Sequence, residues 1–298
     1  MHQTTTDRWF KFLLDSTPHG FRLREEKGEG IMALIDVNGT QIHYLDEGPR
    51  DAPAIIFSNS MFFDVTMFEK QAAAFADNYR VVRYDHRGQG GSAKEPRNKL
   101  DMDTLTDDTA ALIEALGLKK CCFVGNSMGG FIGLRLAARR PDLIASAVIM
   151  GSSADAEVSV EAMDAVTEAI EQNGVAPVVE DVLYFMLGDT TLNSPDRAPI
   201  RERVTKMLES RTPDYANSVW NIAHRKSVTD ELANISVPVL VVAGDEDHTY
   251  PPDHSQRIVD GIADAKYELM TQTGHVHAVE RPDAVNALLK THLAETGF

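Results

Sequence analysis

The sequence predicts an α/β fold, a mostly parallel sheet of eight strands with helices on both faces and an inserted helical cap. Short apolar β runs alternate with helical runs along most of the chain. The alternation stops once, over 153–228, where only helical spacing is found. At 298 residues the chain is long enough for one large domain with an insertion. We therefore predict an N-terminal extension (1–30), an α/β core (31–152 and 229–298) and a helical cap (153–228).

The first thirty residues lie outside this alternation. Residues 9–14 could form a short amphipathic helix, and residues 24–30 are charged and rich in turn formers. We interpret the segment as a surface extension; the alternative is a cover over the site or a subunit contact. The first ten residues hold no apolar run behind a basic start, so we expect no signal peptide.

The predicted strands begin directly after the extension. Asn38-Gly39 supplies the positive φ angles of a tight turn, so residues 33–37 and 41–46 are predicted to form a hairpin. The further predicted strands are 54–58, 80–84, 120–124, 144–150, 238–243 and 267–270. The predicted core helices are 67–76, 105–116, 131–138 and 283–295.

The run Gly125-Asn126-Ser127-Met128-Gly129 stands between a β run and a helical run, and it matches the G-x-S-x-G nucleophile elbow. The turn is sharp and strained, so a β-carbon at either glycine would collide with neighbouring backbone. It lifts the Ser127 hydroxyl clear of the sheet. It also leaves the Met128 N–H at a helix N-terminus, aimed where an oxyanion would develop. The alternative is an ordinary glycine-rich turn.

A nucleophilic serine needs a base, and the base needs an orienting acid. Both residue types occur in loops that follow late strands, at the edge where a parallel sheet collects its active site. Gly244-Asp245-Glu246-Asp247 follows one predicted strand, and Gly274-His275 follows the next. Either Asp245 or Asp247 could therefore serve as the acid.

Together these motifs resemble the α/β-hydrolase superfamily, and the resemblance covers residues 31–298. It is carried by Asn59-Ser60-Met61, by 84–92, by the elbow, and by the two late motifs around Asp247 and His275. The order Ser127, Asp247, His275 is the family's order of nucleophile, acid and base. The resemblance implies that Ser127 attacks a carbonyl carbon, that His275 is the general base, and that Asp247 orients the imidazole.

Alternatives to two of these assignments stay open. Asp245 is a rival acid, although the family's carboxylate usually lies three residues after the glycine, which favours Asp247. A family variant carries the acid after an earlier strand, which would indicate Asp155. His277 is a rival base two residues after His275.

The resemblance also implies an oxyanion hole formed by the backbone N–H groups of Met128 and Met61. Asn59-Ser60 stands where the family often has His-Gly, so these side chains are predicted either to stabilise the loop or to contact substrate. Two aromatic residues, Phe62 and Phe63, follow Met61 and suit an apolar substrate. The predicted substrate-binding residues are Asn59, Ser60, Phe62, Asn126 and Trp220.

Residues 58–61, 67–71, 81–88 and 207–216 resemble the 3-oxoadipate enol-lactonase branch of the family, whereas Phe62-Phe63 departs from it. This resemblance implies cleavage of a carboxylic ester or lactone through an acyl-enzyme. The elbow also resembles that of C–C bond hydrolases acting on ring-cleavage diketones, which is the alternative function. A non-catalytic binding member of the fold is a third hypothesis, although such members usually lose the serine, the acid or the histidine.

Composition limits the partners. The net charge of −16 argues against nucleic acid and anionic membrane surfaces, and no apolar run reaches the ~18 residues that would cross a bilayer. The two cysteines are adjacent within a predicted strand, which favours core packing over a disulfide. We expect a small-molecule ester or lactone as partner, no cofactor, no metal site and a cytoplasmic location; the oligomeric state is not readable.

Overall fold

A nine-stranded sheet runs through the computed structural model, which describes residues 22–25 and 31–298. The strands lie in the order β1-β2-β3-β5-β4-β6-β7-β8-β9. Their bounds are β1 Arg22–Glu25, β2 Ile31–Val37, β3 Thr40–Glu47, β4 Ala54–Ser58, β5 Arg80–Tyr84, β6 Cys121–Asn126, β7 Ile144–Met150, β8 Val239–Gly244 and β9 Ala265–Met270.

The eight predicted strands correspond to β2–β9, and the predicted fold class is confirmed. Strand β1 is additional. It pairs antiparallel with β2 at the edge of the sheet, so part of the segment predicted as an extension belongs to the sheet. A strand of four residues is too short to carry a readable period-2 pattern, which explains why the sequence did not predict it. The helix predicted at 9–14 lies outside the described residues.

Strands β4 to β9 pair in parallel, whereas β1, β2 and β3 join the sheet antiparallel through β5. The tight turn between β2 and β3 is confirmed, with φ angles of 45° at Asn38 and 71° at Gly39. All residues of β4, β6 and β8 are buried, as expected for parallel strands covered on both faces. Both cysteine thiols are buried in β6 and unpaired.

The core helices are α1 Glu69–Phe75, α2 Met102–Ala115, α3 Met128–Arg139, α9 Pro252–Gly261, α10 His277–Glu280 and α11 Pro282–Glu295. The four predicted core helices correspond to α1, α2, α3 and α11. Helix α2 begins after Asp101, whose carboxylate accepts the backbone N–H of Thr104 at 3.0 Å. Within the described ranges no helix combines the length and apolarity needed to cross a membrane.

The segment between β7 and β8 is helical, as its spacing predicts. Its α-helices are α4 Val160–Asn173, α5 Val179–Met186, α6 Asp189–Asn193, α7 Ala198–Glu209 and α8 Ala216–Ala223. The prolines predicted to interrupt this segment occupy the first turns of 3₁₀-helices or of α7, where a missing N–H and a fixed φ are tolerated. We call residues 153–228 the cap segment.

The order of the strands reverses at β4, because β5 lies on one side of it and β6 on the other. In an open α/β sheet, ligands bind at the carboxyl ends of the strands beside such a reversal. The loop after β4 contains Asn59-Ser60-Met61, and the turn after β6 contains Ser127. The sheet therefore brings the two predicted halves of the oxyanion hole to one edge.

Candidate active site

Ser127 occupies the turn between β6 and α3 with a strained backbone, at φ 54° and ψ −112°. A non-glycine residue in such a conformation costs ~1–3 kcal/mol and persists only where its surroundings enforce it. The flanking glycines permit the turn. A β-carbon on Gly125 would lie 2.3 Å from the carbonyl oxygen of Gly129, and one on Gly129 would lie 2.1 Å from that of Ser58.

Asp247 and His275 form a buried pair. The Nδ1 atom of His275 lies 3.0 Å from Oδ2 and 3.1 Å from Oδ1 of Asp247. The Oδ1 atom also accepts the backbone N–H groups of Thr249 and Tyr250, each at 2.9 Å. An ionised carboxylate only accepts hydrogen bonds, so Nδ1 carries the proton of the neutral imidazole and Nε2 is left as the acceptor.

The charge of this pair depends on its partners. Burial raises the pKa of Asp247, but its interaction with His275, together with smaller contributions from His277 and the Tyr250 N–H, outweighs burial and holds the pKa below its usual range. The Nε2 atom of His275 is buried without a hydrogen-bond partner among the described residues. His275 and Ser127 line the same cavity.

The rival acids do not reach the imidazole. Asp245 is exposed, and its carboxylate accepts the backbone N–H of Thr273 at 3.3 Å. Asp155 accepts a hydrogen bond from Arg257 at 2.9 Å. In the part of the chain that the structure describes, Asp247 is thus the carboxylate that orients His275.

The rival base is a packed core residue. His277 is buried, its Nδ1 atom lies 3.1 Å from the carbonyl oxygen of His275, and it does not line the cavity. Burial lowers the pKa of His277 to about 4, so its imidazole stays neutral at physiological pH. Its contact instead fixes the backbone that carries His275.

The loop after β4 and the first turn of α3 are joined by a backbone hydrogen bond in which the Gly129 N–H donates to the Asn59 carbonyl at 3.1 Å. No acceptor is found among the described residues for the backbone N–H groups of Met61 or Met128. Met128 is the first residue of α3, where a helix leaves its N–H groups without intrahelical partners. Two N–H donors therefore stand unused on either side of this junction.

Gln89 connects the same two elements, and the sequence analysis did not single it out. Its side chain is fully buried, Oε1 accepts the Phe62 N–H at 3.1 Å, and Nε2 lies 3.5 Å from the Met128 sulfur. The loop 84–92 that contains it was recognised as a motif of the resemblance. The signal in the sequence is the glutamine itself, which lies within this loop, two residues after Arg87.

A cavity of about 300 Å³ opens onto Ser127 and His275. Met61 and Phe62 line it from the loop after β4. The cap segment contributes a mainly apolar wall, consisting of Ala162, Met163, Val166, Val182, Phe185, Met186, Val219 and Ile222. The remaining lining residues are Glu157, Ser159, His248, Thr249 and Tyr250.

The model of the alpha/beta hydrolase fold family matches residues 53–282, which is more than half of the chain. The chain belongs to the α/β-hydrolase family. It is thus an enzyme of a hydrolytic family.

Relatives of this α/β-hydrolase include 3-oxoadipate enol-lactonase 2 of Acinetobacter baylyi, 30% identical over 247 residues, which span 82% of this chain and 90% of that protein. A putative carbamate hydrolase of Agrobacterium fabrum is 28% identical over 253 residues, 83% of this chain and 96% of that protein. The crystal structure of the enol-lactonase from Burkholderia xenovorans LB400 superposes with a TM-score of 0.81 at 29% identity, covering 88% of this chain and 99% of that one. The resemblance to the enol-lactonase branch is confirmed.

Three predicted substrate-binding residues of this α/β-hydrolase are buried behind the cavity wall. Asn59 donates from Nδ2 to the Tyr84 carbonyl at 2.9 Å, so it stabilises the loop. The Ser60 side chain is fully buried and does not line the cavity. Asn126 donates to the His275 carbonyl at 3.0 Å, and thereby ties the elbow to the loop of the base. None of these three side chains lines the cavity, so substrate contact stays a prediction for them.

Trp220 does not line the cavity either. Val219 and Ile222 on α8 line the cavity, and a residue one position after Val219 is turned by about 100° around a helix. The Trp220 ring stacks instead on His224 at 4.1 Å between centroids, with the Arg97 guanidinium 5.3 Å above it. Among the predicted substrate-binding residues, Phe62 is the one at the cavity wall.

Proposed function

We propose that this α/β-hydrolase cleaves a carboxylic ester or lactone through Ser127, His275 and Asp247, with an acyl-enzyme intermediate. The observation that carries the proposal is the buried Asp247–His275 pair, joined at 3.0 Å. His275 of this pair lines the same cavity as Ser127, which stands on a strained elbow. Relatives named as enol-lactonases and as a putative carbamate hydrolase support chemistry at an acyl carbon.

In the proposed first step, Ser127 Oγ attacks the substrate carbonyl carbon while His275 Nε2 takes its proton. Asp247 stabilises the imidazolium that forms. The carbonyl π electrons move to oxygen, and the resulting oxyanion accepts hydrogen bonds from the backbone N–H groups of Met61 and Met128. Collapse of this intermediate breaks the bond to the alcohol oxygen, which receives the proton from His275.

In the proposed second step, water attacks the acyl-enzyme while His275 Nε2 takes one of its protons. The second oxyanion collapses, the bond to Ser127 Oγ breaks, and the proton returns to the serine. The acid product leaves and the enzyme is restored. A lactone follows the same course, except that its alcohol oxygen belongs to the acyl group itself, so the acyl-enzyme and the final acid both keep it and a single product leaves.

The division into an α/β core (31–152 and 229–298) and a cap (153–228) belongs to this proposal. The core supplies the nucleophile, base and acid, and the cap segment supplies most of the apolar wall. Contacts between core and cap include a hydrogen bond in which the Gly90 N–H donates to Tyr215 Oη at 3.0 Å. We propose that the core performs the reaction and that the cap selects the substrate.

A serine-directed fluorophosphonate tests the assignment of the nucleophile. We expect one label per chain on Ser127, found by peptide mapping, together with loss of p-nitrophenyl ester hydrolysis. Ser159, which also lines the cavity, is the internal control and should stay unlabelled. Ser127→Ala should abolish labelling while the variant keeps its thermal unfolding transition. A label on another residue, or hydrolysis of diketones but of no ester or lactone, would overturn the proposal.

A further inference from the structure

Apart from Glu157 and Ser159, the residues of the cap segment that line the cavity have aliphatic, thioether or aromatic side chains. Val166, Val182, Val219 and Ile222 face it from three different helices, with Met163 and Phe185 beside them. A volume of about 300 Å³ is at the small end of the range for ligand pockets, ~300–1,000 Å³. Such a wall binds a substrate by removing apolar surface from water, at about 0.8 kcal/mol per methylene group.

No lysine or arginine is among the lining residues, within the part of the chain that the structure describes. Two arginines of the cap segment that could have bound a carboxylate are engaged elsewhere. Arg211 donates to the Phe62 carbonyl at 2.7 Å and to Asp64 at 2.8 Å. Arg201 donates to the Leu192 carbonyl at 2.5 Å.

Arg225 lies closer to the cavity but behind its wall. Its guanidinium donates to the carbonyl oxygens of Asp155 and Ile222 and to Oε2 of Glu157 at 3.0 Å, and it stacks over the Phe131 ring at 4.4 Å. Its side chain is 2% exposed, against 11% for that of Glu157. The cation is therefore covered, and the carboxylate of the pair is the group that lines the cavity.

Glu157 remains ionised at neutral pH. Burial raises the pKa of this carboxyl group, but the Ser159 N–H and the Arg225 guanidinium outweigh it and hold the pKa below its usual range. Tyr250 Oη, at 3.3 Å, donates a further hydrogen bond to Oε2. A substrate carboxylate brought into this cavity would meet the negative charge of Glu157, while no lysine or arginine is among the described residues that line the cavity.

We propose that the substrate is an uncharged ester or lactone with an apolar acyl part, and that Glu157 rejects acyl parts that carry a carboxylate. This inference rests on the proposed function and narrows it. It separates this enzyme from the activity named for its enol-lactonase relatives, because the lactone of an oxoadipate retains one free carboxylate.

The test compares two substrates of equal chain length on the wild-type enzyme, p-nitrophenyl hexanoate and mono-p-nitrophenyl adipate. Hydrophobic burial predicts that kcat/KM rises about 4-fold per methylene from acetate towards hexanoate. The unpaired, desolvated carboxylate predicts a kcat/KM at least ~100-fold lower for the adipate than for the hexanoate. Similar values for both substrates would overturn the inference.

Glu157→Gln tests the role of the charge. The amide keeps the size of the side chain but leaves the Arg225 cation unneutralised, so the ratio of adipate to hexanoate kcat/KM should rise at least ~10-fold. Glu161→Gln is the matched control, since Glu161 is an exposed carboxylate four residues later, in the first turn of α4, and does not line the cavity. It should leave the ratio unchanged. An unchanged ratio in Glu157→Gln, with hexanoate still hydrolysed, would contradict the role of Glu157.

The two proposals fail in different ways. Suppose that the wild type hydrolyses no p-nitrophenyl ester of acetate, hexanoate or adipate and no lactone, and that a fluorophosphonate does not label Ser127. The proposed hydrolase function is then wrong. If Ser127 is labelled and the adipate is hydrolysed as well as the hexanoate, the function stands and the inference about the substrate is wrong. The methyl ester of mono-p-nitrophenyl adipate separates charge from length, and we expect it to be hydrolysed at a rate near that of the hexanoate.

Discussion

Asp245 and Asp247 are two residues apart in the same loop, yet they have opposite environments. Asp247 is buried and accepts three N–H groups, from His275, Thr249 and Tyr250, whereas Asp245 is exposed. Asp247→Asn removes the anion that holds Nδ1 protonated, so we expect kcat on a p-nitrophenyl ester to fall by about 10⁴-fold. Asp245→Asn is the matched control and should stay within a few-fold of wild type. Equal losses in the two variants would remove Asp247 from the proposed triad.

Gln89 is expected to position the oxyanion hole without touching the substrate. Its hydrogen bond to the Phe62 N–H fixes the residue after Met61, so Gln89→Leu should let the Met61 N–H drift from the oxyanion. We expect kcat to fall ~10-fold with KM little changed, because the interaction is made in the transition state. Gln71→Leu is the control, because Gln71 is a buried glutamine that does not line the cavity. It should lower stability but leave kcat unchanged. A rise in KM alone for Gln89→Leu would contradict the positioning role.

At the level of single residues, the sequence predicted Ser127, Asp247 and His275 because each follows a strand in a loop of recognisable composition. It could not predict which neighbours reach the cavity. Asn126 and Trp220 are polar or aromatic and close to the site in sequence, but their orientation depends on the pleat of β6 and on the rotation of α8. Those angles are set by packing against the rest of the molecule, so residue type alone carries no information about them.

Two core carboxylates hold the start of α6 in the cap segment. Glu280 accepts the Gly188 N–H at 2.9 Å and the Thr191 hydroxyl at 2.6 Å. Glu246 accepts the Thr190 N–H at 2.7 Å and its hydroxyl at 2.5 Å. Because Glu246 is next to Asp247 in the chain, the same contacts that attach the cap segment also support the loop of the proposed acid.

The Glu280 contact predicts a pH-dependent stability. Burial raises the pKa of Glu280 from 4.5 to about 7, so the folded protein binds more protons than the unfolded chain between these values. The contribution of Glu280 to the free energy of unfolding should therefore be highest near or below pH 4.5. It should fall as the pH rises through 7, at up to ~1.4 kcal/mol per pH unit.

Urea denaturation of wild type and Glu280→Gln at pH 5 and pH 8 measures this contribution. Glutamine cannot ionise, so the variant should gain ~2–3 kcal/mol relative to wild type on going from pH 5 to pH 8. Glu268→Gln, on the exposed edge strand β9, is the control and should shift by less than ~0.5 kcal/mol. Parallel pH profiles for wild type and Glu280→Gln would disprove the prediction.

Most of the elements were predictable, since buried parallel strands and helices with one apolar face have distinct periods. Strand β1 was not, and neither were the core helices α9 and α10, the 3₁₀-helices and the short α6 of the cap segment. Elements of three to five residues bury too little apolar surface to leave a period in the sequence. They form because their neighbours supply hydrogen-bond partners, as β2 does for β1 and Glu246 and Glu280 do for α6.

On the scale of the whole molecule, alternating β and helical runs predicted the parallel sheet, and the interruption at 153–228 predicted the helical insertion. How the cap segment meets the core was not predictable, because it depends on side chains far apart in sequence. Arg211 is an example. An arginine in the cap segment is chemically suited to solvent or to an anionic ligand, yet Arg211 crosses to the loop after β4 and donates to the Phe62 carbonyl.

Arg211 and Arg203 both reach from the cap segment to the same stretch of the core, and they provide a matched test of that junction. Arg211 pairs with Asp64, with side-chain exposures of 12% and 22%, and also holds the Phe62 carbonyl at a residue whose φ is 72°. Arg203 pairs with Glu69, but these side chains are 46% and 42% exposed. Water screens the second pair far more than the first.

Arg203→Ala should therefore change the free energy of unfolding by less than ~0.5 kcal/mol and leave kcat unchanged. Arg211→Ala leaves Oδ2 of Asp64 and the Phe62 carbonyl without the Arg211 donor, while Thr66 still donates to Oδ1, and should cost ~2 kcal/mol. It should also lower kcat, because the strained backbone beside Met61 loses its support. Urea denaturation and ester kinetics on both variants measure the two effects. If Arg211→Ala lost stability but kept its kcat, the cap segment would hold the core together without shaping the oxyanion hole.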